Sequence, residues 1–87
     1  MVSYQVEITN KARKQFDVLP STVRPRVSEA INGLADNPRP NHCIKLAREL
    51  GYRVSVGDYR VLYVINDKAK IVTVYKVKHR RDAYRGN

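Results

Sequence analysis

The feature that most constrains this chain is a pair of Val-, Ile- and Tyr-rich runs, Tyr52 to Val56 and Tyr59 to Ile65, separated only by Gly57-Asp58. Runs of this composition read as strands, and a Gly-Asp pair between them reads as a two-residue hairpin loop. The hairpin then has one register. Val56 faces Tyr59, Ser55 faces Arg60, Val54 faces Val61, Arg53 faces Leu62 and Tyr52 faces Tyr63. Because side chains alternate along a strand, Tyr52, Val54, Val56, Tyr59, Val61 and Tyr63 fall on one face, the side predicted to be buried. Arg53, Ser55 and Arg60 fall on the other. A slip of one residue would exchange the two sets, so the burial of the first set fixes the exposure of the second.

The rest of the chain supplies what such a hairpin needs for a core. Ile71 to Val77 reads as a further strand beside Tyr59–Ile65, reached by a turn that begins at Asn66-Asp67 and is completed by Lys68 to Lys70. Residues 2–8 alternate with period two, placing Val2, Tyr4, Val6 and Ile8 on one face of an N-terminal strand. Thr9 or Asn10 can cap a first helix in which Ala12, Phe16 and Leu19 recur at helical spacing, and Pro20 ends it. Ser21 or Thr22 can open a second helix with Val23, Val27, Ile31 and Leu34 as its apolar stripe, Ala30 beside them and Pro25 in the first turn. Asn37-Pro38-Arg39-Pro40 stops it. Residues 41–50 read as a polar connection anchored by Ile44, Leu46 and Leu50. The predicted order is β-α-α-β-β-β, an α+β fold. Its αα-hairpin packs on one face of a mostly antiparallel four-stranded sheet, and a short C-terminal tail follows. At 87 residues the chain is expected to form one domain over 1–87.

Charge narrows the partner. The chain carries 17 Lys+Arg against 8 Asp+Glu, a net +9. Residues 1–43 hold six Lys/Arg and four Asp/Glu, whereas residues 44–87 hold eleven and four. A balance this basic, concentrated in the strand-rich half, points to a polyanionic partner such as nucleic acid or an acidic protein. The single cysteine, Cys43, excludes an internal disulfide, and no long apolar run reads as a membrane span. A cytoplasmic setting without membrane contact is the expectation. Cys43 beside His42 does not make a zinc site, and no second ligand cluster is present, so neither a metal nor another cofactor is expected.

The last strand runs into Lys78-His79-Arg80-Arg81-Asp82-Ala83-Tyr84-Arg85. Guanidinium groups bind phosphate as a fork, histidine moves protons near neutral pH, and tyrosine stacks on a base or transfers a proton. With the last strand beside Tyr59–Ile65, this extension is expected near Arg53 and Arg60. Such a group suits metal-free RNA cleavage: a base deprotonates the ribose 2′-OH, that oxygen attacks the adjacent phosphate, and the leaving 5′-oxygen is protonated. DNA has no 2′-OH and would escape.

The block Gly51-Tyr52-Arg53-Val54-Ser55-Val56-Gly57-Asp58-Tyr59-Arg60-Val61-Leu62-Tyr63, followed by His79-Arg80-Arg81-Asp82-Ala83-Tyr84, closely resembles the RelE/ParE superfamily of bacterial toxins, and its RelE branch in particular. The early Lys-x-x-x-x-Leu-Pro-x-x-Val-Arg hairpin and the Asn-Pro-Arg-Pro turn fit as well, so the resemblance covers essentially the whole chain. It implies a type II toxin that binds the ribosomal A site and cleaves mRNA. It also implies a cognate RelB-like antitoxin that blocks the basic groove, and a toxin–antitoxin complex that binds operator DNA through the antitoxin. By the same resemblance Arg60, His79, Arg80 and Tyr84 are the expected catalytic residues. Lys45, Arg48, Arg53, Ser55, Lys78, Arg81 and Arg85 are the expected contacts to RNA phosphates. Two strand lysines of well-known members are replaced here by Arg53 and Ser55. Arginine is a poor base, so the proton-transfer role passes to His79 first and Tyr84 second. The alternative is a ParE-like inhibitor of DNA gyrase, acting by protein binding without catalysis; the two branches share a fold.

Overall fold

The computed structural model describes residues 3–83. In chain order the elements are β1 (Gln5–Ile8), α1 (Asn10–Asp17), α2 (Arg24–Gly33), β2 (Ile44–Lys45), a 3-10 turn (Arg48–Leu50), β3 (Tyr52–Val56), β4 (Tyr59–Asn66) and β5 (Ile71–His79). The strands form one sheet in the order β1-β5-β4-β3-β2. β1 runs parallel to β5, and the other pairs are antiparallel.

The hairpin register is the one read from Gly57-Asp58, from Val56↔Tyr59 to Tyr52↔Tyr63. Gly57 has φ +58 and Asp58 a negative φ. A positive φ at the first loop residue only is the pattern of a type II′ turn, which glycine fits without strain.

The expectation of four strands is corrected to five, in a mixed sheet. Ile44 and Lys45 pair with Arg53 and Tyr52 and make a short edge strand. Two residues are too few to show any period, so no alternation marks this strand. Nor could alternation in β1 reveal that its neighbour is β5, more than sixty residues away. Ile44 and Leu50 were expected to anchor this region, but they are 47% and 55% exposed.

Thr9 Oγ1 accepts from the Ala12 N–H at 3.1 Å and caps α1, a contact that contributes about 1 kcal/mol in such positions. The second helix opens differently from the expectation. Neither Ser21 nor Thr22 caps it; the Val23 and Arg24 N–H groups both reach the Pro20 carbonyl, and Pro25 follows in the first turn. Ala12, Leu19, Val27, Ile31 and Leu34 from the helical hairpin are buried against Val54, Val61, Tyr63, Val72, Val74 and Val77 of the sheet. Tyr4, Val6 and Ile8 pack at the margin of this cluster; Val2 lies outside the described residues.

β5 carries a bulge. Leu62 pairs with Lys76 but Tyr63 pairs with Val74, which leaves Tyr75 as an extra residue. Val72, Val74 and Val77 all reach the core in consequence, although 74 and 77 differ in parity. β1 ends opposite Val74, so beyond that point the outer edge of β5 has no strand beside it. There Gln15 Oε1 of α1 accepts from the Val77 N–H at 2.8 Å, which satisfies a ladder donor that would otherwise be stranded.

Candidate nucleic-acid interface

The face of the sheet opposite the helices is built from two cross-strand rows. One is Arg53–Leu62–Lys76, and the next is Ser55–Arg60–Lys78. Four cations and no carboxylate occupy these positions. β3 and β4 supply Arg53, Ser55 and Arg60 because Val54 and Val61 are held in the core, as the hairpin register required. β5 supplies Lys76 and Lys78 because the Tyr75 bulge sets their parity.

Arg60 is folded back along its own hairpin. Its Nη1 donates to the Gly57 carbonyl at 3.1 Å and to the Tyr59 carbonyl at 3.0 Å. Its Nε is buried and has no hydrogen-bond partner. A guanidinium resting on two neutral carbonyls, with one donor unused, has more to gain from an anion than from its present contacts.

The end of β5 meets the hairpin loop. The Arg80 N–H donates to the Asp58 carbonyl at 2.7 Å, and Arg80 Nε stands 3.9 Å from Asp58 Oδ1. That ion pair is exposed on both sides and adds little stability, so the backbone bond is what fixes the junction. The chain then turns: the Asp82 and Ala83 N–H groups both donate to the His79 carbonyl. Lys76 Nζ donates to the Ala83 carbonyl at 3.0 Å, bringing the turn back over the cationic face. Leu62 and Ala83 are 4% and 1% exposed, yet neither belongs to the helix-side core.

The expected site residues separate into three groups. Arg53, Ser55, Arg60 and Lys78 share the cationic face, and Arg80 and Arg81 are exposed at its end. His79 is not on that face. It pairs with Tyr59 and meets the Tyr59 ring edge-on at 5.3 Å, on the helix side of β5, while its Nδ1 accepts from the Arg81 N–H. Strand alternation is the reason: Lys78 faces one way and His79 the other. Lys45 pairs with Tyr52, whose ring packs toward the core, and so also lies off the Arg53 side; Arg48 is exposed in the 3-10 turn. Tyr84 and Arg85 lie outside the described residues.

Lys76 was missed from sequence. Strict alternation through Ile71–Val77 gives no reason to pair Lys76 with the open side once Val72 and Val74 are inside, and only the bulge supplies one. Arg39 was also missed as more than part of a Pro-rich stop. It grips Asp67 with two bonds of 2.7 and 3.1 Å, and its Nε donates to the Tyr52 hydroxyl at 3.0 Å. The Tyr4 hydroxyl donates to the same carboxylate at 2.7 Å. Arg39, then Tyr4, hold the Asp67 carboxyl down to about 2. This clamp closes the end of the sheet remote from the Gly57-Asp58 loop. Among the described residues no three His, Cys, Asp or Glu side chains come together to hold a metal, and no helix is long and apolar enough to cross a membrane.

A small α+β domain with a basic, helix-free sheet face has close counterparts. Residues 6–84 match the family model of the ParE toxin of the type II toxin–antitoxin system parDE. Toxin RelG of Mycobacterium tuberculosis is 36% identical, over 94% of this chain and 97% of its own length. The putative toxin RelE1 of Methanocaldococcus jannaschii is 31% identical over 97% and 98%. Among solved structures, the archaeal RelE–RelB complex from Pyrococcus horikoshii contains a chain 33% identical to this one. It superposes with a TM-score of 0.81 over 94% of this chain and all of that one. The chain belongs to the RelE/ParE superfamily of type II toxins.

Proposed function

We propose that this protein is a ribosome-dependent endoribonuclease that cuts mRNA without a metal ion. The observation that carries the reading is the Ser55–Arg60–Lys78 row, with Arg60 poised on neutral carbonyls and an unused buried Nε. Arg53 and Lys78 hold the phosphates on either side of the scissile bond. Arg60 leaves the Gly57 and Tyr59 carbonyls and binds the scissile phosphate, meeting the negative charge that grows as the 2′-oxygen attacks. The 2′-OH gives up its proton, the P–O5′ bond breaks, the 5′-oxygen is protonated, and a 2′,3′-cyclic phosphate remains. With His79 turned toward Tyr59, the second candidate for proton transfer, Tyr84, takes the role in this proposal; it lies outside the described residues. Arg80 and Arg81 add positive potential at the rim.

A RelB-like antitoxin is the proposed regulator, because RelB accompanies RelE in the solved Pyrococcus horikoshii complex. An antitoxin covering the Arg53–Arg60–Lys78 face would remove the RNA site. The complex would bind operator DNA through the antitoxin.

A second reading is favoured by one observation, the match of residues 6–84 to the ParE family model. It is inhibition of DNA gyrase by protein contact. Induction in cells followed by mapping of mRNA 5′ ends, with a gyrase supercoiling assay alongside, separates the two. Cuts within translated frames that vanish in Arg60→Ala support the nuclease. Intact messages with lost supercoiling overturn it.

A further inference from the structure

The cationic face does not stop at the edge of the sheet. Arg26, in the first turn of α2, comes from the helix side and lies over the hairpin loop. Its Nη2 and Nη1 stand 3.4 and 3.6 Å from where a Cβ on Gly57 would be. Arg60 reaches the same glycine from the opposite face, through Nη1 to the Gly57 carbonyl. Arg80 closes on the next residue, through its N–H to the Asp58 carbonyl. Three arginines from a helix, a strand and the C-terminal turn therefore converge on two loop residues. Among the described residues the one ion pair at this loop is between Asp58 and Arg80, exposed and 3.9 Å long. Arg26 is exposed and takes part in no ion pair among the described residues. A Cβ at Gly57 would meet this guanidinium at ordinary van der Waals distance, so Arg26 rests directly on the loop.

We propose that Arg26, with Arg80, forms a second phosphate subsite at the hairpin loop, which takes the backbone of a single RNA strand as it leaves the Arg60 site and passes round the edge of the sheet. The proposal rests on the RNA-cleaving reading and adds a contact from the helical layer, which the strand residues alone do not provide. Arg26 is a binding residue here, not a catalytic one. A strand held at the loop as well as on the sheet face is fixed in direction, so the scissile phosphate cannot slide past Arg60.

The test uses the full chain and a short, fluorescently labelled 2′-O-methyl RNA oligonucleotide, which has the phosphates but no free 2′-OH and cannot be cut. Affinity is measured from low to moderate salt for the wild type, Arg26→Gln, Arg26→Lys and Lys68→Gln, with thermal melts to confirm folding. Lys68 is an exposed cation in the β4–β5 turn, at the far end of β4 from Gly57. Loss of one phosphate contact should flatten the log–log salt slope by about 0.7 and weaken binding roughly fivefold at about 0.1 M salt. Arg26→Lys should keep the slope, and Lys68→Gln should leave both quantities near wild type. Equal losses in Arg26→Gln and Lys68→Gln would reduce the effect to net charge and overturn the subsite. A wild-type slope in Arg26→Gln, with the wild type still binding, overturns the subsite alone. A wild type with no affinity for the oligonucleotide overturns the RNA reading and the subsite together.

Discussion

The Tyr63 hydroxyl offers a sharp test of how the sheet is held to the loop above it. Tyr63 is fully buried at the centre of β4, and its hydroxyl donates to the Pro38 carbonyl at 2.7 Å. Burial pushes the phenol well above its ordinary range, which favours the protonated, donating form of the hydroxyl. Pro38 is itself buried, and no other donor reaches its carbonyl among the described residues. Tyr63→Phe removes one oxygen and strands that carbonyl. The net worth of the bond is about 1 kcal/mol, and the buried acceptor left behind brings the expected loss to about 2 kcal/mol. For a domain of this size that is roughly 10 °C in Tm. The assay is urea unfolding followed by circular dichroism, with an unchanged m-value as the sign that only stability has moved. Tyr75→Phe is the paired control. Its hydroxyl donates to the Leu50 carbonyl at an exposed site, where water takes over, so the loss should be well under about 1 kcal/mol. Equal losses in the two variants would refute the argument from burial, as would a Tyr63→Phe protein within about 0.5 kcal/mol of wild type. RNA affinity should be unchanged in Tyr63→Phe, since the ring lies on the helix side.

Gly51→Ala should destabilise on the order of 3 kcal/mol or more, because Gly51 has φ +83 and an added Cβ would stand 2.1 Å from the Tyr63 carbonyl oxygen; thermal melting checks this, and a neutral result would refute the close approach of β3 to β4. The Asp67 carboxyl is held at about 2 in the fold against an ordinary 3.8, so its contribution is fully present above the ordinary value and disappears as pH falls from there toward about 2. Melts of wild type and Asp67→Asn between pH 7 and pH 2 should therefore converge at the acid end, and a constant gap would contradict the Arg39 clamp. His79→Ala should lower the single-turnover cleavage rate less than about tenfold, because the imidazole faces Tyr59; a loss of a hundredfold or more would put it in the proton transfer. Across the wild-type cationic face, about four phosphate contacts should give a log–log salt slope of about −3, and a flat response would exclude that face as the RNA site.

What could be read from the sequence was whatever local alternation and turn chemistry dictate. Gly57-Asp58 fixed the β3–β4 register, and with it the separation of Val54 and Val61 from Arg53 and Arg60. The helix stripes were legible because Val27, Ile31 and Leu34 repeat at the helical period. The parallel pairing of β1 with β5 was not, since no local pattern names a partner across most of the chain. The placement of His79 was open to the same alternation that placed Arg60: it sits opposite Tyr59, an inward residue. Reading the C-terminal stretch as a cluster of useful groups passed over that parity. Arg26 could not have been found from sequence, because its approach to Gly57 depends on how the helical layer is seated over the sheet.

The extra residue at Tyr75 has a consequence for any relative that lacks it. In a regular strand with Val72 and Val74 inward, positions 76 and 78 would point into the hydrocarbon interior and 77 toward solvent. Two ammonium groups would be driven into the core and a valine expelled. A relative without the insertion has to carry the inverse order there, apolar residues where this chain has Lys76 and Lys78 and a cation where it has Val77. Equivalent charges in the two proteins would then fall one place out of step in any letter-by-letter alignment, although they occupy the same spot in space.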